Sequence, residues 1–573
     1  MPKGMTPKRM MLKQMMPKQL MPQKMLLVPF GLVLLAVWGP GCGSVKQVTP
    51  TPTIQAPSDL PDEDCHPLPG VPRNGGTIIF ALADSVNPGH APVPHNYSER
   101  IVFRNLYETL VNVDCEGMLQ PALAEDWTSM ERDRIWIFTI QQSAQFWDGS
   151  DVEAFHVKES WIRAQNCPRT QGEHSPLIWL NARAESIQVL DNRRLAIELP
   201  ESQADFPLLL AHAALAVATW RPGWRWPVGT GPFKLEPWSD TPSPDLVCLP
   251  NERRRDAAEL DQLIFRVLPG HDPRDILGRQ CDALVVRDQS ALNYFQRTPS
   301  VTDVSMPWDR MYLLLCPPDG SERERQRWYT GWHRSDLARD VVGSPAQPVT
   351  EPFFQTPTER LCAQLTGPIA TEVWPSFSRQ QSTTTLDQDL ILHPEGDQDA
   401  RRLAERLAVL AAIPRSPAPD RPGRGELSPP YPPAGGEIPQ ALAIPDDQFI
   451  GAVQSTRAGA FILPVDRGYA SACLQLAALL SMAEWIQRTA LDTDFAHTYY
   501  PSSARAREPK DNYDLPEVVQ ASRRLAVSGV ALPLVITRAH LVTQGRLAGV
   551  RFAYDGTILL DRTGWYSGNR SVP

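Results

Sequence analysis

His90 and His95, in His90-Ala91-Pro92-Val93-Pro94-His95, are two imidazoles that could in principle ligate nickel. Pro92 and Pro94 exclude the helix that would put both rings on one face. Loop histidines are ordinarily solvated, so no metal site is expected there. The chain has nine cysteines, but no Cys-x-x-Cys pair and no Cys/His cluster at zinc spacing, so no structural metal is expected. It contains no zinc-protease helix motif, serine nucleophile elbow, P-loop or dinucleotide fingerprint. Gly229-Thr230-Gly231 is too short a glycine loop to cradle phosphate. No constellation of nucleophile, base and orienting group emerges, and the expectation is a protein that is not an enzyme and carries no cofactor.

The elements that would position any binding chemistry begin after a long preamble. Residues 1–24 carry six basic side chains and no acid, and 25–38 (MLLVPFGLVLLAVW) is an apolar run interrupted only by Pro29 and Gly31. Fourteen residues fall short of the ~20 a spanning helix wants and suit the core of an export signal. Gly39-Pro40-Gly41-Cys42 resembles a bacterial lipoprotein cleavage box, with Gly39 where a leucine is usual, and makes Cys42 the candidate for lipidation, with an ordinary secretory signal or an uncleaved anchor as the alternatives. Residues 45–72 are rich in Thr, Pro and Asp, a composition that does not fold and suits a tether. Eight cysteines remain beyond Cys42; their pairing is open to 105 combinations. Cys248 and Cys316 sit within apolar strand-like runs and read as small core residues.

The body is ordinary globular material: 573 residues, 42% hydrophobic and 21% charged, enough for roughly three to five lobes. Fifty-seven prolines predict many loops. The net charge is −9, and without the basic leader 50 basic residues face 65 acids. An acidic body lacks the footprint that phosphate neutralisation requires, which excludes nucleic acid as a partner. From residue 75 the pattern is mixed α and β. Alternation and β-branched runs predict strands at 77–82, 135–140, 262–268, 283–286, 311–316, 532–536, 549–554 and 557–561, with another following the turn 229–232. Apolar spacing predicts helices at 97–112, 322–341, 398–413 and 472–490. The proline-rich stretch 414–439 reads as a loop or insertion.

Several motifs then fall into a known order. Tyr107-Glu108-Thr109-Leu110, Pro121-Ala122-Leu123-Ala124-Glu125-Asp126-Trp127, Phe146-Trp147-Asp148-Gly149, Gly229-Thr230-Gly231-Pro232-Phe233 with the later Asn251, and Gly278-Arg279-Gln280-Cys281-Asp282 resemble the series in the bacterial family 5 extracellular solute-binding proteins. These are the receptors of ABC importers for peptides, nickel and some sugars. Beyond 282 the likeness fades, and 327–338 is a poor version of the corresponding family helix.

That resemblance implies an α/β, mixed α+β architecture: a two-lobed periplasmic-binding-protein type II fold with an added subdomain in the first lobe. It places a signal peptide at 1–41 and a tether at 42–73. The first-lobe core is expected at 74–110, 222–310 and 530–573, the added subdomain at 111–221, and the second lobe at 316–529. It implies a periplasmic or cell-surface lipoprotein, monomeric, that takes a small solute such as a peptide and meets an ABC permease in the inner membrane. A sensor, chaperone-like or interaction lipoprotein on the same fold stays open as the alternative. In peptide-binding relatives an Asp of the second lobe pairs with the ligand ammonium; Asp466, in Asp466-Arg467-Gly468-Tyr469, is its positional match. Arg467, itself a candidate ligand residue, follows it directly, so an ion pair that neutralises Asp466 is the first reading and an ammonium clamp the second. Tyr469 belongs to the same segment. Ser85 and Asn87 lie in the turn 84–90 that resembles the family loop facing the cleft, while Trp147 and Asp148 are expected to be structural.

Overall fold

The six residues Thr77–Leu82 (β1) form the middle of a seven-stranded sheet because four of them, Ile78, Phe80, Ala81 and Leu82, are buried. Parallel strands covered on both faces are nearly continuously apolar, and β1 pairs in parallel with both Gln262–Val267 and Ala283–Val286. The sheet runs Val301–Ser305, His540–Gln544, Ala283–Val286, β1, Gln262–Val267, Asp245–Pro250 and Phe233–Leu235. The computed structural model describes residues 71–114, 117–165, 187–199, 203–235, 245–254, 258–306, 310–317, 333–342, 346–348, 390–412, 439–455, 459–466, 468–483 and 528–566, with Leu68, Trp485, Ile486, Thr489 and Leu525. The candidate signal, Cys42, nearly all of the candidate tether, nearly all of the proline-rich stretch and Arg467 lie outside these residues. Among the described residues no helix is long and apolar enough to cross a membrane.

A second sheet of six strands gathers Arg310–Leu315 (β2), Ala460–Asp466 (β3) and Ala531–Ile536 (β4) with Gln347–Pro348, Leu390–Pro394 and Gln440–Ile444. β2 lies between β3 and β4, antiparallel to both. The helix Gln398–Ala412 covers it, burying Ala400, Leu403, Ala404, Leu407 and Ala408 at the three-and-four spacing that makes one helical stripe. A smaller antiparallel sheet (Ala124–Met130, Ile135–Ile140, Arg194–Glu198, Ile187–Val189) comes from the segment expected to hold the added subdomain.

The chain crosses between the two large sheets twice. Val301–Ser305 leads to β2, and β4 returns to His540–Gln544. The crossings hold each other: Met306 N–H donates to Ala539 O at 2.9 Å and Thr537 N–H to Arg310 O at 2.7 Å. This gives a two-stranded pivot between lobes built on separate sheets.

Four sequence expectations shift. The strand Ala531–Ile536, placed with the first lobe, hydrogen-bonds in the second sheet, because the crossing comes at 537–539. Pro72 and Arg73, assigned to the tether, pair with Tyr566 and Trp565. The helix expected over 97–112 is Tyr97–Leu106 (α1), and Tyr107 is already extended (φ −130°, ψ 142°). The apolar pair Leu110 and Val111 that suggested a longer helix serves the hairpin Val111–Val113 with Leu119–Pro121. The helix expected over 472–490 is continuous over Ala472–Ser481. Cys248, Cys281 and Cys316 are buried. Burial pushes the Cys248 thiol well above its usual range and that of Cys281 up to about 12.

Candidate functional site

α1 begins with Asn96 capping Glu99 N–H at 2.8 Å. Glu99, fully buried, then gathers the preceding turn: it accepts from Asn87 N–H at 3.0 Å and His95 N–H at 2.8 Å, and it meets His90 Nδ1 at 2.7 Å. Asn87 Oδ1 accepts from Gly89 N–H, and Ser85 O accepts from Asn96 Nδ2. Asn87 and Ser85 therefore hold the turn against α1. The imidazoles of His90 and His95 stack at 3.9 Å, and among the described residues no group of three or more His, Cys, Asp or Glu is arranged to hold a metal.

One residue after Glu99, Arg100 reaches across the seam between the lobes. Its Nη2 donates to Asp466 Oδ2 at 2.7 Å, at the end of β3, and Arg310 Nε donates to Asp466 Oδ1 at 3.0 Å. Arg310 also donates to Asp397 at 2.9 Å, and that carboxylate accepts from the Tyr312 hydroxyl. Desolvation raises the pKa of Asp466, but Arg310 and Arg100 outweigh it and hold the group far below the usual carboxylate range. Burial likewise works against the charge on Arg100, and Asp466 and Asp555 overcome it. Tyr97, on the same turn of α1, has the Arg287 guanidinium 4.4 Å from its ring.

Beside this cluster, Tyr469 is buried against His212, ring centroids 4.7 Å apart, and Ser471 Oγ donates to Asp205 at 2.7 Å. Burial raises the Asp205 pKa, and the bonds from Ser471 and Gln203 offset only part of it. The structure thus brings Asp466 and Tyr469 to one seam with α1 and the segment 205–212, while Asn87 and Ser85 belong to the turn. The neutralising role considered for Arg467 is filled by Arg100 and Arg310. Sequence reasoning missed Arg100, Arg310, Asp205 and His212; Arg100 and Asp466 are 366 residues apart, and no local spacing marks such a pair.

The glycine and tryptophan motifs of the first lobe meet at the end of α1. Gly229 and Gly231 let the turn press on the end of α1, where Gly231 N–H donates to Leu106 O at 2.9 Å. Asn251 Nδ2 donates to Gly231 O at 2.9 Å, and Trp147 N–H to Gly229 O at 3.0 Å. Asp148 takes Arg221 Nε at 2.6 Å and Ser150 Oγ at 2.6 Å.

Acid sensitivity follows. Burial raises Asp148 and Asp555, but hydrogen bonds and arginine partners outweigh it, so both sit below the ordinary 3.8, as Asp466 does. A depressed carboxylate contributes stability that is complete above its unfolded value and lost as pH falls through the folded one. Asp205 acts in the opposite sense, against these three and against Asp191, Asp272, Asp288 and Asp303, which their hydrogen-bond partners also hold low. Melting temperatures are expected to hold steady from pH 7 to about 5 and to fall progressively below about 4; a midpoint unchanged at pH 3 would contradict this.

Residues 118–317 match the model for bacterial extracellular solute-binding proteins, family 5 Middle. The glutathione-binding protein GsiB of Salmonella typhimurium is 26% identical over 180 residues, 30% of this chain and 34% of that protein. The chain thus aligns with about a third of the length of the first curated relatives it matches. Among solved structures, NikA from Brucella suis, in complex with Fe(III)-EDTA, superposes with a TM-score of 0.63 at 14% identity, covering 85% of this chain and 99% of that one. DppA from Helicobacter pylori, in complex with the peptide STSA, gives 0.61 at 13% identity, covering 86% and 99%. At these identities the likeness is one of fold: two α/β lobes of the type II periplasmic-binding architecture.

Proposed function

We propose that this chain, whose residues 118–317 match the model for the bacterial extracellular solute-binding proteins of family 5, works as a member of that family, capturing a peptide or similar small zwitterion between its lobes and presenting it to an ABC importer. In this reading it is exported, tethered through a lipid on Cys42, and reaches its solute from the end of the stretch 42–67. The ion pair between Arg100 of α1 and Asp466 of β3 supports it most directly, since it joins the two lobes across the seam.

An α-ammonium entering the seam takes Asp466, and a ligand carboxylate takes the released Arg100. One internal ion pair is exchanged for two with the ligand, made only when both lobes are in place. Such differential contact with the closed state is what drives closure. Arg310 remains to orient the Asp466 carboxylate. Tyr469, His212 and the Asp205–Ser471 pair would line the adjoining wall, where extended ligands are held by backbone groups and water.

Thermal-shift titration of the exported protein with peptide pools tests this. A binding peptide at a hundredfold excess over Kd stabilises by about 2.7 kcal/mol. Asp466→Asn is expected to weaken affinity at least tenfold, because a charge-assisted bond to the ammonium becomes a neutral one. The reading fails if no peptide moves the midpoint, or if Asp466→Asn binds the same peptides unchanged.

A further inference from the structure

We propose a second ligand site within the first lobe, separate from the seam: a cavity of about 650 Å³ that takes a small hydroxylated polyanion bearing phosphate or carboxylate groups. Among the described residues its wall takes none from 310–536, the part of the chain that holds the second sheet. It is therefore not the space between the lobes, and it does not depend on the proposed solute.

The wall is basic. Arg104 comes from the last turn of α1, Arg253 and Arg254 follow the strand Asp245–Pro250, Arg551 opens the hairpin Arg551–Phe552 with Ile558–Leu559, and Arg562 follows it. Five guanidinium groups face two carboxylates, Glu108 and Asp561. Those acids are committed: Glu108 pairs with Arg254, and Asp561 Oδ2 accepts from Arg551 Nη2 at 2.5 Å. In an otherwise acidic protein, this concentration of planar donors suits oxyanions, which the guanidinium fork meets two atoms at a time.

The second observation is unmet hydrogen bonding. Arg104 Nε, Arg551 Nε and Thr230 Oγ1 are buried without a hydrogen-bond partner, and all three residues line the cavity. Arg104 Nε stands 3.7 Å from Asp555, beyond hydrogen-bond range. Buried donors left unmade are costly, and acceptor oxygens of a bound anion would satisfy them. Asp561 Oδ1 is also unpartnered and is an acceptor, which selects for a ligand hydroxyl beside the anionic groups. The volume lies within the range of small-molecule sites.

Calorimetric titration of the full protein at low ionic strength, with citrate as carboxylate source and fructose 1,6-bisphosphate as phosphate source, tests this. At least one is expected to bind one to one. Arg253→Ala/Arg562→Ala, two exposed wall residues whose loss leaves the core intact, is expected to weaken it at least tenfold, and added salt is expected to weaken it further. Citrate binding alone identifies the carboxylate class, bisphosphate binding alone the phosphate class. The proposal is overturned if neither anion exceeds potassium chloride of matched ionic strength, if the double variant binds as tightly as the parent, or if Asp466→Asn abolishes the binding and so moves it to the seam.

Discussion

Gly229→Ala is expected to lower the melting temperature by ~10 °C or to prevent folding. A Cβ at this position would stand 2.1 Å from Leu106 O, 2.6 Å from the Tyr107 ring and 2.9 Å from Trp147. Its backbone does not occupy the left-handed region, so the restriction is space and not conformation. Relief requires moving the turn off the end of α1, which would break the bonds from Gly231 N–H to Leu106 O and from Trp147 N–H to Gly229 O. Overpacking costs about 1–3 kcal/mol and each buried backbone group left unpaired a similar amount, so a total of about 4 kcal/mol or more is expected. For large domains each kilocalorie is worth roughly 2–4 °C. Gly451→Ala is the control: its Cβ meets nothing within 4 Å and it lies inside the helix Asp446–Gln454, where alanine is favoured by roughly 1 kcal/mol. Calorimetric melts of the two variants within 2 °C of each other would refute the steric account.

Asp397→Ala is expected to cost about 2–4 kcal/mol in denaturant unfolding. The Asp397 side chain is 6% exposed and serves three partners: Arg310 Nη1 at 2.9 Å, the Tyr312 hydroxyl at 3.0 Å, and Ala400 N–H at 2.9 Å in the first turn of the helix Gln398–Ala412. Removing one member of a buried ion pair costs about 3–5 kcal/mol and losing a helix N-cap about 1. The lower figure applies because Arg310 keeps Asp466 and is 26% exposed. Asp397→Asn retains an acceptor for the cap and for Tyr312, and is expected to recover part of the loss. Since Arg310 also orients Asp466, the alanine variant is expected to weaken peptide binding as well. An alanine variant within 1 kcal/mol of the parent, or an asparagine variant no better than alanine, would refute the network.

Much of the architecture was legible beforehand because burial leaves a local trace. Ile135–Ile140 buries every second residue, and Gln398–Ala412 buries one stripe, so period two and period 3.6 named them correctly. Local pattern misled where an apolar residue served a different partner. Leu110 and Val111 continue the α1 spacing, yet the helix has ended and Val111 opens a hairpin strand, and Ala531–Ile536 reads as a strand without saying which sheet receives it. The order of the motifs from Tyr107 to Asp282 pointed to the family whose model residues 118–317 match, since many of those residues pack against one another and their spacing is bound up with that packing.

The sequence by itself determined strands such as Thr77–Leu82, Ile135–Ile140 and Arg310–Leu315, the helices Tyr97–Leu106 and Gln398–Ala412 to within a few residues, the acidic body and the candidate carboxylate Asp466. Only the tertiary structure decided what that carboxylate meets. Its neighbour in the chain is Arg467, but the charges that hold it are Arg100 and Arg310, 366 and 156 residues away. Hydrophobic periodicity is written along the backbone because each residue samples the same face every few positions. An ion pair depends on a separation of about 3 Å in space, and that distance exists only after two sheets and a two-stranded pivot have brought remote segments together.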